Sequence, residues 1–278
     1  MPSRYELVSS TVVGEHTFEC YDVIADDDVI DEVARIVAEL YVDPDTLMDS
    51  LRRASADLDS VASSGELASL MSEVASAVIP QMDLDAERVH LQTPRNEVAE
   101  ILAFDVLRQI HKFLIPASRI REKEISQAPT RGLDIFALLM TPKVRAVICE
   151  VKASSSSASP PAVVGGGDDS MHAQTKKRLK DQKGLLAELT WAHKHTTANL
   201  RGEVARALIL LSRKDAEPPI AAPVLVRPMD KHGVDDFGCF KEAPEEYGPA
   251  QVRFSIIRIP GTLEDFAERV YARAREVA

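Results

Sequence analysis

Lysine is absent from the first 90 residues, and cysteine is scarce throughout the 278-residue chain. The three cysteines, Cys20, Cys149 and Cys239, are an odd number, lie far apart and form no Cys-x-x-Cys pair. Such spacing argues against a disulfide framework and a zinc–thiolate site, and fits a reducing cytoplasm. No apolar run approaches the roughly 18 residues that a membrane span needs; the longest are pieces such as Ile135 to Met140. Behind the single basic residue of Met1-Pro2-Ser3-Arg4-Tyr5-Glu6 there is no apolar signal core, so secretion is not expected. What is present, 45% hydrophobic and 28% charged residues, excludes wholesale disorder and fibrous classes. The length suits one sizeable core carrying an appended segment in a cytoplasmic, soluble protein.

Charge is divided unevenly. Residues 1–90 carry 20 acidic and 5 basic side chains, a net −15, whereas residues 91–278 carry 24 acidic and 28 basic, a net +4. That asymmetry divides the chain into an acidic N-terminal segment, 1–90, and a second domain, 91–278. The second part is suited to face a polyanion. The first is suited to dock a partner protein or mask the polyanion surface, or simply to keep the chain soluble.

Periodicity predicts one or two short strands over Tyr5 to Tyr21, then amphipathic helices from Val29 to Leu40 and from Asp43-Pro44-Asp45 to about Val61. Ser64-Gly65 separates these from another helix ending near Pro80. A helix over Asn96 to Phe113 leads into three strands, Ile115 to Ile125, Gly132 to Met140 and Val144 to Lys152. Four consecutive serines, two prolines and three glycines make the stretch 153–170 a flexible loop. A basic helix follows from His172 to His195, with Val204 to Leu211 a helix end or strand. Strands at Pro223 to Arg227 and Val252 to Ile259 precede a terminal helix, Leu263 to Val277. The class is α/β with a mixed sheet.

One constellation carries chemistry. Gly132-Leu133-Asp134 opens one strand and Glu150-Val151-Lys152 ends the next. Side chains two apart on a strand share a face, so Glu150 and Lys152 project together while Val151 points into the core. A hairpin across Thr141 to Lys143 brings Asp134 to the end that holds Glu150. Two carboxylates and an ammonium there can hold a hard divalent cation such as magnesium and orient a water. The tripeptide alone carries no weight, since Asp181/Lys183 repeats its spacing; its place at the end of an apolar β run does. The bland reading is a strand-end salt bridge of Glu150 with Lys152 or Arg131.

A helix glutamate, an Asp-initiated strand and Glu-x-Lys on the next strand resemble the PD-(D/E)XK nuclease superfamily. Its restriction-endonuclease-like αβββα core would cover about residues 93–215. Ala99-Glu100-Ile101-Leu102-Ala103 resembles the superfamily's Gly-Glu-x-x-Ala helix, which implies Glu100 as the helix carboxylate, with Glu97 a competitor on nearly the same face. The order of the acidic helical segment, these motifs, a basic helix, Ile220 to Leu225 and a closing strand–helix looks like the nuclease subunit of Hachiman antiphage systems. That resemblance implies metal-dependent hydrolysis of a nucleic-acid phosphodiester beside a helicase subunit; DNA is the expected substrate, and the sequence does not separate DNA from RNA. Glu100, Asp134, Glu150 and the Val151 carbonyl would bind Mg²⁺, with Mn²⁺ able to replace it, and Lys152 would orient water or balance charge. The rival class is a catalytically silent nuclease-fold scaffold that binds nucleic acid or a partner.

Lys176, Lys177, Arg178, Lys180 and Lys183 form a basic stretch that can follow a phosphate backbone. Few aromatics interleave with it and Trp191 lies beyond, so base stacking is not indicated. Gly165-Gly166-Gly167-Asp168 lacks the Lys-Ser or Lys-Thr of a P-loop. His193 and His195 read better as a surface pair than as metal ligands, and no serine sits in a Gly-x-Ser-x-Gly elbow.

Overall fold

In a computed structural model of the chain, residues 4–24, 27–57, 63–80, 92–119, 133–140, 143–213 and 216–278 are described. The elements are strands β1 (Tyr5–Val13) and β2 (His16–Val23), helices α1 (Asp27–Tyr41), α2 (Pro44–Asp57), α3 (Ser64–Val78) and α4 (Gln92–Gln109), then strands β3 (Ile135–Leu139), β4 (Arg145–Cys149) and β5 (Val151–Ala153). Helices α5 (Ala162–Gly165), α6 (Met171–Lys180), α7 (Gln182–His195) and α8 (Arg201–Ser212) follow. Strands β6 (Ile220–Ala221) and β7 (Val224–Pro228), helix α9 (Cys239–Glu242), strand β8 (Gln251–Ile259) and helix α10 (Leu263–Val277) complete the chain.

These strands make one mixed sheet. β1 and β2 form an antiparallel hairpin, and β2 runs parallel to β8. β8 then pairs with both β6 and β7, β6 with β4, β7 with β5, and β4 with antiparallel β3. β4 and β5 are one strand broken at Glu150, opposite a second break at Ala222-Pro223. Pro223 has no amide to donate, so the ladder resumes only where the Val224 N–H reaches the Glu150 carbonyl at 3.0 Å.

Both sheet faces are covered, which explains why the central strands read as continuous apolar runs. Ile135, Ala137, Val147, Cys149 and Val226 face α1, α4 and α10. Phe136, Leu138, Ala146 and Ile148 face α7 and α8. Phe18, Cys20, Leu225, Phe254 and Ile256 meet Val164, Met171 and Phe240.

Residues on either side of position 90 share the largest core, which runs from Tyr5 through Val33 and Leu102 to Tyr271. The acidic segment therefore supplies two strands and part of the helical layer to the same body that the later residues form. Within the basic stretch, Lys176 pairs with Glu246 at 2.9 Å.

Several local expectations are corrected. Ser64 and Gly65 are the first turn of α3, because Ser63 caps it in a reciprocal pair with Glu66. The basic helix is two helices, divided where Asp181 caps α7 by accepting from the Gly184 N–H at 2.8 Å. The stretch 153–170 is packed rather than loose. Buried Arg227 donates to the carbonyls of Ser156 and Ala158, and Val164 lies in the core. Of the expected strand over Ile115 to Ile125, the described part begins beside a single bridge, Leu114 to Leu138; residues 120–132 lie outside the described residues.

Candidate active site

The register of the β3–β4 hairpin pairs Ile135 with Cys149. One step beyond, Asp134 lies beside Glu150, at the break between β4 and β5. The Val151 N–H donates to Asp134 Oδ2 at 2.8 Å. Because β5 bonds β7 through the Glu150 carbonyl, Val151 turns its amide and carbonyl to the opposite edge, the one Asp134 faces. Lys152 Nζ lies 2.8 Å from Glu150 Oε1, so these two side chains share a face as strand alternation requires. Glu150 is buried and Lys152 half-buried.

The electrostatics show how tightly the groups are held. Burial, then the Asp134 charge, pushes the Glu150 carboxyl above its ordinary range, although Lys152 and Arg178 pull the other way. Burial alone would lower Lys152, but Glu150, Asp134 and Asp169 outweigh it and hold the ammonium protonated. Asp169 and Arg178 thus belong to this neighbourhood. Asp169 was not legible in the sequence, where it sits in a Gly-rich stretch. Arg178 was expected on the nucleic-acid surface with its neighbours, yet its charge acts on Glu150.

Helix α4 packs on β5 and carries both candidate helix glutamates. Glu97 is buried, and one of its oxygens accepts hydrogen bonds from the Tyr41 and Tyr271 hydroxyls. Glu100, half-buried, faces the strands: burial first, then the charges of Asp134, Glu150 and Glu100, pushes the Cys149 thiol up. The charges of three carboxylates therefore act on one buried sulfur. Among the described residues, no three His, Cys, Asp or Glu side chains are drawn together closely enough to hold a metal ion. The donor set is nonetheless of the type a hard cation takes, carboxylate oxygens with a carbonyl edge, and like charges crowded at Glu150 favour a cation's entry.

The basic residues divide. Lys176 is tied to Glu246 and Arg178 lies by Glu150, leaving Lys177, Lys180 and Lys183 exposed on α6 and the start of α7. His195 stacks on Trp191 at 4.9 Å, and the guanidinium of Arg119 covers the same indole at 4.0 Å. No helix among the described residues is long and apolar enough to cross a membrane.

A family model described as HamA matches residues 6–274, so the chain belongs to the HamA family, which is an antiphage-defence family of the Hachiman type. No curated protein and no solved structure matches the chain.

Proposed function

We propose that this chain is a Mg²⁺-dependent nuclease of the PD-(D/E)XK type, hydrolysing DNA phosphodiesters as the effector that works beside a helicase. The observation that carries this reading is the meeting of Asp134, Glu150 and Lys152 at one strand end, with Asp134 on the Val151 amide and Lys152 on Glu150. A salt bridge built only for stability gains little from a second, half-buried carboxylate, which raises the cost of charging Glu150.

Glu100, Asp134, Glu150 and the Val151 carbonyl would hold the cation, which supplies an acidified water and charge neutralisation at the phosphate. Lys152, kept protonated by its acidic neighbours, orients the attacking water and balances the charge that develops on the phosphate. Asp134 is oriented by the Val151 amide. Lys177, Lys180 and Lys183 bind the backbone without reading sequence. A net charge of −11 repels a polyanion, which favours delivery of DNA by a partner such as a helicase.

The test incubates the purified chain, alone and with its helicase, on plasmid and linear DNA with and without Mg²⁺. Metal-dependent cleavage that Glu150→Gln abolishes is expected. Binding without cleavage under every condition would instead favour a silent scaffold.

A further inference from the structure

The outer edge of the sheet is unfinished. β1 is nine residues long and, among the described residues, pairs with no strand other than β2. Leu7, Val8, Val12 and Val13 are 53%, 46%, 64% and 36% exposed, so apolar side chains reach solvent along a free row of main-chain donors and acceptors. Natural edge strands are blunted by lysine, proline, inward charge or bulges. Tyr5 to Val13 contains no lysine and no proline, and Glu6 is its only charge. The single protective device is an irregularity between Leu7 and Ser9.

The pattern of this strand identifies its partner. Read outward from Ser10, Ser9 matches Thr11, Val8 matches Val12 and Leu7 matches Val13. A sequence that reads alike in both directions about one residue suits isologous antiparallel pairing about a two-fold axis. The main chain agrees. Val13 faces His16 across the two-residue loop Gly14-Glu15, so Val13, Thr11 and Ser9 turn their amides to β2. Ser10 and Val12 turn theirs outward. Thr11 and Ser9 lie opposite Phe18 and Cys20, on one face, while Ser10 and Val12 lie opposite Glu19 and Thr17, on the other.

We infer that β1 is a homodimerisation edge, pairing antiparallel with β1 of a second copy about an axis through Ser10. The two sheets then join edge to edge. Val12 faces the partner's Val8 and Thr11 the partner's Ser9, apolar against apolar and hydroxyl against hydroxyl. No charge is opposed by a like charge, because Glu6 comes opposite the partner's Gly14. This matters for a chain at −11, whose copies repel elsewhere. The irregularity beside Val8 limits the matched stretch to Val8–Val12.

Sedimentation velocity of the full chain over a wide concentration range tests the pairing. The wild type should reach twice the chain mass. Val12→Lys, which sets two ammonium groups into the seam, and Ser10→Pro, which removes an outward amide that β2 does not use, should each sediment at the chain mass. Both should melt as the wild type does, and Val12→Lys alone decides if Ser10→Pro fails to fold. Under oxidising conditions, a chain carrying both Ser9→Cys and Thr11→Cys should cross-link to a dimer that reductant dissolves. The inference is overturned by a wild type that stays at the chain mass at every concentration. It is equally overturned by dimers that survive Val12→Lys, or by a β1 that pairs with a strand of another protein while the chain itself remains single.

Discussion

Asp134 Oδ2 accepts the Val151 main-chain N–H at 2.8 Å, which ties the start of β3 to the middle residue of the Glu-Val-Lys strand. One carboxylate oxygen is thereby fixed by the backbone, so the orientation of the other follows from the hairpin rather than from a mobile rotamer. The same bond satisfies an amide that β7 cannot reach. Site geometry and sheet geometry are here one feature.

Glu150→Gln and Lys152→Met are each expected to lower cleavage by about a hundredfold or more, the scale of losing one preorganised electrostatic group. Glu150→Gln keeps the shape of its buried side chain and Lys152 is only half-buried, so circular dichroism and melting should remain close to wild type. Loss of fold, or cleavage at the wild-type rate, would contradict the assignment.

Asp134→Asn should lose cleavage while still binding DNA, since affinity rests on phosphate neutralisation. Reversal of Lys177, Lys180 and Lys183 should do the opposite, weakening binding and reducing the salt slope by about 0.9 for each phosphate no longer neutralised. Reversal of Lys176 should add little, because Glu246 already holds it. Equal slopes for wild-type and reversed chains would remove this surface from the interface.

The two helix glutamates should separate by kind of effect. Glu97→Ala leaves the Tyr41 and Tyr271 hydroxyls without their acceptor and should cost stability, about 1–3 kcal/mol for each buried group orphaned. Glu100→Gln should leave urea unfolding nearly unchanged and abolish cleavage. An inactive but fully stable Glu97→Ala would reverse these roles.

Much of this arrangement was legible in the sequence, for definite reasons. Strand alternation put Glu150 and Lys152 on one face, and the hairpin expected from Thr141-Pro142-Lys143, of which 141 and 142 lie outside the described residues, put Asp134 beside them. The helix motif pointed to Glu100 but left Glu97 in competition, because the tyrosine partners of Glu97 lie 56 and 174 residues away and leave no local signal. The serine- and glycine-rich stretch 153–170 misled because its anchor, Arg227, sits about seventy residues downstream. Composition reports what a segment can do alone, and here a buried guanidinium decided otherwise. The acidic segment also carries a long-range pairing without a local signal. Its charge was visible, but the pairing of β2 with β8 connects residues about 236 positions apart.

Arg227 and Asp236 form a buried ion pair at 2.5 Å, and Asp236 also accepts from His232 at 2.9 Å and from the Gly233 N–H at 3.0 Å. Burial alone would raise this carboxyl, but the His232, Gly233 and Ser159 hydrogen bonds and the Arg227 charge hold it below its ordinary value. Its stabilising contribution is therefore complete above the ordinary carboxylate range and is lost as pH falls through the depressed folded value. Asp236→Asn should cost about 3–5 kcal/mol at neutral pH, by leaving Arg227 buried without its counter-charge. Urea titrations should show the gap between wild type and variant narrowing as the solution is acidified below the ordinary carboxylate range. A gap independent of pH would mean that the charge of Asp236 is not what holds this anchor.

Cleavage of supercoiled plasmid with and without Mg²⁺, by the wild-type chain and by Glu150→Gln, each alone and with the helicase, is the most direct measurement. Nicked and linear products that need both the metal and Glu150 are the expected result. Plasmid left intact by the wild type under every condition, or cut equally by Glu150→Gln, would contradict a nuclease centred on Asp134, Glu150 and Lys152.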